Sequence, residues 1–338
     1  MDTAIGAAEY VDFVNREYLT GYIDGGGAAV KLLAVGDDAT RTHLASGLRE
    51  LDYGFAVAAV AAAGTRIHMV DQLFTAIARQ LDWVALASAV MRSALENTAF
   101  PAVDGDDDID LGAVARHHGV DAAELYRSVR RALEQIVLRD NELSHEFRVA
   151  MLRLCQERLG RGDVSVAERE TVIGWLCGER LPAAALRRVS LQAKVARHNA
   201  RPLLVSLTRW LRIAGRRGLI LHLDLDRLAV TRRPPPGLRD GNYYSKAATL
   251  DAYEMLRQLI DATDEFDGLF VAATLPASLV QDEVRGLPAY TALQMRVIDE
   301  VRDRRRANPY ATMVRIGDRP EAGGMTERSE DMWKDGTA

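Results

Sequence analysis

Within residues 9–24 apolar side chains recur at 10, 11, 14, 18 and 19, one face of a helix, and Gly25-Gly26-Gly27 closes it. The period then changes. Ala28 to Val35 is a compact, partly β-branched apolar run with glycine on both sides, the pattern of a buried strand. Gly36 to Thr40 reads as a turn, 41–52 as a helix and Phe55 to Ala63 as a second strand. Residues 68–81 repeat apolar positions at 69, 70, 73, 74, 77 and 81 and predict a further helix. From about residue 84 to 215 the periodicity is helical throughout, interrupted by Asp104-Gly105-Asp106-Asp107-Asp108-Ile109-Asp110, which reads as a solvated loop. Asp121 with Glu124 and Ser165 with Glu168 have the spacing of capping boxes. Strand and helix then alternate again: a strand over Gly218–Asp224, a helix over 245–262, a strand over Gly268–Thr274, a helix over 289–306 and a strand over 311–316.

Five strands separated by helices predict an α/β fold, a mostly parallel sheet with helices on both faces and a large helical insertion between the second and third strands. The expected organisation is residues 1–83 as the first part of the α/β core, 84–215 as the insertion, 216–317 as the second part of the core and 318–338 as a disordered tail. Right-handed crossovers bring the loops after the first and third strands to one end of the sheet, where open α/β folds bind ligands.

Charge alters this picture only at particular positions. Lys+Arg is 43 against Asp+Glu 48, a net charge of −5, which excludes a wholly basic protein that coats nucleic acid. Only four of the cations are lysines: Lys31, Lys194, Lys246 and Lys334. Cys155 and Cys177, with no CxxC motif and no nearby histidine at ligand spacing, indicate neither a disulfide framework nor a zinc site. The paired His117 and His118 are expected to point apart on a helix. No run reaches the roughly 18 apolar residues of a membrane span, and Met1-Asp2-Thr3 does not open a signal peptide; a cytoplasmic location is expected, with no membrane contact.

The loop after the first strand is where a phosphate-binding G-x-x-x-x-G-K-[ST] would lie. Here it reads Gly36-Asp37-Asp38-Ala39-Thr40-Arg41-Thr42-His43. Only the first glycine is present, no lysine falls in the loop, and Asp37 and Asp38 would repel a triphosphate. A one-residue slip sets Arg41 in the lysine's place and Thr42 in the hydroxyl's. The third strand ends in Asp224, as a strand does whose carboxylate orients a magnesium shell. Leu225 follows where such ATPases often carry a glutamate, and Asp226, one residue later, is expected on the opposite face of a continuing strand. His222 reads as a core or interface histidine. Two arginine clusters, Arg227, Arg232, Arg233 and Arg239 in a proline-rich loop and Arg302, Arg304, Arg305 and Arg306 at a predicted helix end, are candidate contacts for DNA or a partner protein.

Several segments together resemble the ATP-binding protein family of BREX bacteriophage-exclusion systems, the BrxC/BrxD-type P-loop proteins, over roughly residues 9–316. They are Thr65 to Phe74, Glu146-Phe147-Arg148, Arg197 to Arg201, Tyr243 to Ala247, Ala252 to Asp261 and Gly286 to Tyr290. The resemblance implies a P-loop NTPase (AAA+-like) core and a subunit of an anti-phage assembly, with other defence proteins as partners and a homo- or hetero-oligomer as its setting. It implies ATP and Mg as ligands, Asp224 as the magnesium-orienting carboxylate and Thr274 as the polar sensor on the fourth strand. On this basis Asp224, Asp226 and Thr274 are the candidate catalytic residues, and Gly36, Arg41, Thr42 and Asp224 the candidate nucleotide-binding ones, with a regulatory or scaffolding role expected from the altered loop.

Overall fold

The computed structural model describes residues 4–101, 110–160, 164–298 and 307–317. Five strands form one sheet: β1 (Ala28–Val35), β2 (Ala56–Ala61), β3 (Leu219–Asp224), β4 (Leu269–Pro276) and β5 (Met313–Ile316). Their spatial order is β2-β3-β4-β1-β5 and every pairing is parallel. The architecture is α/β, of the P-loop NTPase-like kind.

The first crossover, from β1 out to β2, runs one way along the sheet and carries α2 (Asp38–Arg49). The crossovers from β2 to β3, β3 to β4 and β4 to β5 all run the other way. Crossovers of one hand therefore put α2 on one face and the helices of the later crossovers on the other. Packing agrees. Leu44 and Leu48 of α2, with Tyr10 and Phe13 of α1 (Ala7–Phe13), cover Leu33, Val35, Ile220 and Phe270. The opposite face, with Leu32, Leu221 and Val271, is continuous with the core of α3 (Val70–Ala78), α4 (Trp83–Glu96), α5 (Leu111–His118), α6 (Ala122–Leu138), α7 (His145–Arg158), α8 (Val166–Leu176) and α10 (Arg197–Ile213). The short α9 (Ala183–Arg188) joins the last two, and α11 (Lys246–Asp261) and α12 (Thr291–Val297) complete this layer. Burial on both faces explains why the central strands read as unbroken apolar runs; each fully buried leucine contributes about 1.5–3 kcal/mol of transfer free energy.

Several boundaries differ from the sequence reading for identifiable reasons. The helix expected over 9–24 is α1 followed by a wider π-type segment, Val14–Ile23, broken at Thr20 and Gly21, where φ of +122° is open only to glycine. Of the helix expected over 289–306, the described residues show α12: Pro288 sits in a preceding 3-10 turn and Ile298 has extended backbone. Residues 299–306, and with them Arg302, Arg304, Arg305 and Arg306, lie outside the described residues, as do the acidic stretch 102–109 and the tail 318–338. His117 and His118 do not point apart; their rings meet edge to face with centroids 5.0 Å apart. Ser165 and Glu168 form the full capping box, whereas Asp121 caps α6 by accepting from the Glu124 amide.

Candidate functional site

The connection from β1 to α2 is two residues long, Gly36 and Asp37. Asp37 is the N-cap of α2. Its Oδ1 accepts the Thr40 amide at 2.8 Å and its Oδ2 accepts the Thr40 hydroxyl at 2.9 Å. These bonds, the amide first, hold the Asp37 carboxyl below the usual aspartate range. A helix N-terminus offers unpaired N–H groups and the positive end of the helix dipole to an anion. In this protein the anion that meets them is the chain's own carboxylate.

β3 ends beside this helix start. Asp224 lies in register with Thr274 of β4, and Thr274 in turn with Leu33 of β1, so the three side chains share one row on the α2 face. Asp224 Oδ1 accepts the Asp226 amide at 3.0 Å. That turn corrects the expected position of Asp226. Leu225 leaves the strand conformation (φ −100°, ψ 12°) and Asp226 opens a 3-10 turn, so its carboxylate swings to the α2 side instead of the opposite face. There Asp226 Oδ1 meets Arg41 Nη1 at 2.5 Å. Arg41 Nη2 also donates to Asp38 Oδ1 at 2.9 Å. Burial works against the charge on Arg41, but Asp226, Asp224 and Asp38 outweigh it and push its pKa upward.

Thr274 and His222 form the floor. Thr274 is 1% exposed; its Oγ1 lies 3.1 Å from His222 Nε2 and donates to the Leu223 carbonyl at 3.3 Å. Burial lowers the His222 pKa, with Asp224 opposing; the neutral ring packed on a threonine agrees with its reading as a core histidine. Thr42, by contrast, is exposed and donates to the Asp38 carbonyl of its own helix. Of the residues singled out in sequence, the fold brings Arg41, Asp224, Asp226 and Thr274 together at one edge, keeps Gly36 at the start of the connection, and leaves Thr42 outside.

A sequence model of the BREX system ATP-binding protein BrxC/D matches residues 22–318. The chain belongs to this family. No curated protein and no solved structure matches it. As a BrxC/BrxD family member it is a subunit of an anti-phage defence system, whose other proteins are its partners, and the family is described as ATP-binding. No single helix among the described residues is long and apolar enough to cross a membrane.

Two segments that carry the family resemblance hold the loops around the site. The Tyr244 hydroxyl, fully buried, donates to the Thr65 carbonyl at 2.6 Å and accepts the Ile67 amide at 3.0 Å, fixing the loop after β2. Glu254 of α11 is held well below the usual range, at about 2, first by the Arg257 guanidinium and then by the Tyr290 hydroxyl, which ties α11 to the segment before α12. In the proline-rich loop Arg227 is paired with Asp240, whereas Arg232, Arg233 and Arg239 are exposed.

Sequence reading missed two residues and one contact here. Asp37 read as a repulsive charge, although aspartate immediately before a helix is a capping signal. Arg285, buried behind the loop after β3, and the His222–Thr274 contact leave no mark in local sequence. Gly36 supplies a further test. A Cβ built on it meets nothing within 4 Å, and its φ is not in the left-handed region. Gly36→Ala is expected to shift stability by less than about 0.5 kcal/mol, read from urea midpoints. A loss above about 1.5 kcal/mol would contradict the open geometry.

Proposed function

We propose that this BrxC/BrxD family member is a regulatory or scaffolding subunit whose nucleotide site is filled by its own side chains, so that ATP hydrolysis is weak or absent. The supporting observation is the two-residue connection capped by Asp37. A phosphate cradle needs several glycine-rich residues whose amides converge on the ligand. Here Asp37 takes the Thr40 amide, and Arg41 is committed to Asp38 and Asp226, with Asp224 close enough to act on its charge. The residues present do not fit a Mg-bound triphosphate, and no chemical step is assigned to one.

The competing reading is an active ATPase in which Arg41 serves as the phosphate-loop cation beside Asp224 and Asp226. The favouring observation is that Arg41 does reach the tip of β3. Turnover of ATP by the purified protein, compared with Asp224→Ala and Arg41→Ala, separates the two. The scaffold reading expects no turnover above the Asp224→Ala background and no saturable ATP binding. Hydrolysis abolished by Asp224→Ala would establish the ATPase instead. A third role, contact with DNA through Arg232, Arg233 and Arg239, predicts an affinity that falls steeply with salt as phosphate counterions cease to be released, and charge reversal of these arginines tests it.

A further inference from the structure

β2 is an edge strand, and its outer side is only partly covered. In a parallel ladder alternate residues turn their main-chain groups to the neighbour. The Ala56 amide donates to the Gly218 carbonyl and the Ala62 amide to the Asp224 carbonyl, so the even-numbered residues face β3. Residues 55, 57, 59 and 61 therefore face outward. Three of them are occupied locally, the first through the Phe55 amide, which donates to the Asp52 carbonyl. The Gln80 carboxamide makes the pair of bonds to Ala59 that another strand would make: the Ala59 amide donates to Gln80 Oε1 at 3.0 Å and Gln80 Nε2 donates to the Ala59 carbonyl at 3.1 Å. The Ala61 carbonyl accepts the Gly64 and Thr65 amides. Val57 has neither its N–H nor its C=O engaged among the described residues.

A groove of about 400 Å³ runs along this stretch. Leu81, Leu86 and Leu211 line one side, on the face shared with Ala56. Arg49 and Arg216 stand on its rim, both exposed and neither in an ion pair among the described residues, against one uncommitted carboxylate, Asp52. The other lining carboxylate, Asp82, is spent capping α4 through the Ala85 amide.

We propose that this edge receives an extended peptide segment of a partner protein as a sixth strand, apolar at alternate positions and carrying carboxylates between them. Main-chain bonds to Val57 would fix the strand, the leucines would take its apolar side chains, and Arg49 and Arg216 would meet its carboxylates; short strands with one edge left open are the usual seat of such addition. Gln80 acts as a displaceable cover that keeps the edge from pairing indiscriminately. A second copy of the chain fits poorly, because two concave edges do not fill each other. Two strands lie between β2 and β1, and Val57 and Ala59 turn their main-chain groups away from β3 and its Asp224, so the proposal does not depend on what the nucleotide site holds.

The probe is a fluorescein-labelled peptide of alternating valine and glutamate, six residues long, titrated with the full chain and read by anisotropy. Saturable binding is expected, weakened about tenfold when alternate peptide nitrogens are methylated, since each lost hydrogen bond contributes about 1 kcal/mol. Val57→Pro, which removes an outward N–H without touching the β3 ladder, should weaken it similarly at unchanged Tm. Gln80→Ala should tighten it several-fold, and a valine-lysine peptide should bind less well. No saturable binding, or an affinity indifferent to methylation, overturns the proposal. So does concentration-dependent dimerisation that Val57→Pro abolishes and the peptide leaves intact, which would assign the edge to a second copy. Should Val57→Pro fail to fold, the methylated peptide on the unaltered protein decides alone.

Discussion

Arg285→Met is expected to cost about 3–4 kcal/mol of stability, because the substitution strands buried acceptors. Arg285 is 6% exposed and makes no ion pair with a carboxylate among the described residues. Its guanidinium is instead solvated by the chain: Nη2 donates to the Tyr244 carbonyl at 2.7 Å, to Thr249 Oγ1 at 3.0 Å and to the Leu228 carbonyl at 3.3 Å, which Nε also approaches at 3.4 Å. These partners belong to the turn after β3, the segment leading into α11, and α11 itself. One side chain thus holds the loop that carries Asp226 against the body of the protein. Methionine matches the length and offers no donor, leaving the Leu228 and Tyr244 carbonyls buried without a partner at about 1–3 kcal/mol each. Denaturation in urea measures the loss, with exposed Arg239→Met as a control expected within about 0.5 kcal/mol of the unaltered protein. A loss below about 1 kcal/mol for Arg285→Met would show that the loop has another anchor.

The second large effect is a pH dependence that resides in Lys31. This lysine lies inside β1, 4% exposed, with Nζ donating to the Tyr310 carbonyl at 2.6 Å and the Ala311 carbonyl at 3.1 Å, and 4.6 Å from the centroid of the Tyr18 ring. Burial lowers its pKa from 10.5 to about 8. Below the folded value both folded and unfolded chains carry the proton, and the fold bears the full cost of a desolvated charge. Between the folded and unfolded values the folded chain has released the proton and the unfolded chain has not. Stability therefore rises with pH across that window. The gain attributable to Lys31 is on the order of 3 kcal/mol from pH 8 to 10.5. Unfolding free energies of the protein and of Lys31→Met, measured at intervals from pH 7 to 10.5, give this as a difference in which ionisations remote from Lys31 cancel. Parallel curves would mean that Lys31 does not titrate in that range.

These two cations also mark where sequence reading ends. The strands were legible because a sheet covered on both faces demands apolar runs, and glycines at 27, 36, 218 and 268 bound them. Asp224 was legible because a carboxylate closing such a run is conspicuous. Extending the period of two past the strand's end misplaces Asp226, because Leu225 already leaves β geometry. Asp37 is visible in the sequence as a charge but not as the group seated at the helix start, since capping depends on where the helix begins and the apolar pattern sets that boundary three residues late. The partners of Lys31 and Arg285 are main-chain carbonyls, which every residue possesses and no side-chain pattern announces.

The strand order carries a consequence for the time at which the protein folds. β1 sits between β4 and β5, and Ala28 pairs with Leu269 while Leu32 pairs with Met313. During synthesis both neighbours of β1 emerge about 240 residues or more after it, roughly 12–50 s later at ribosomal rates. Until then β1 has no hydrogen-bonding partner, and the apolar run that later forms the centre of the sheet is exposed in the nascent chain. In a protein of this topology the first strand made is among the last to be paired, and the centre of the sheet closes only once β4 and β5 have been synthesised.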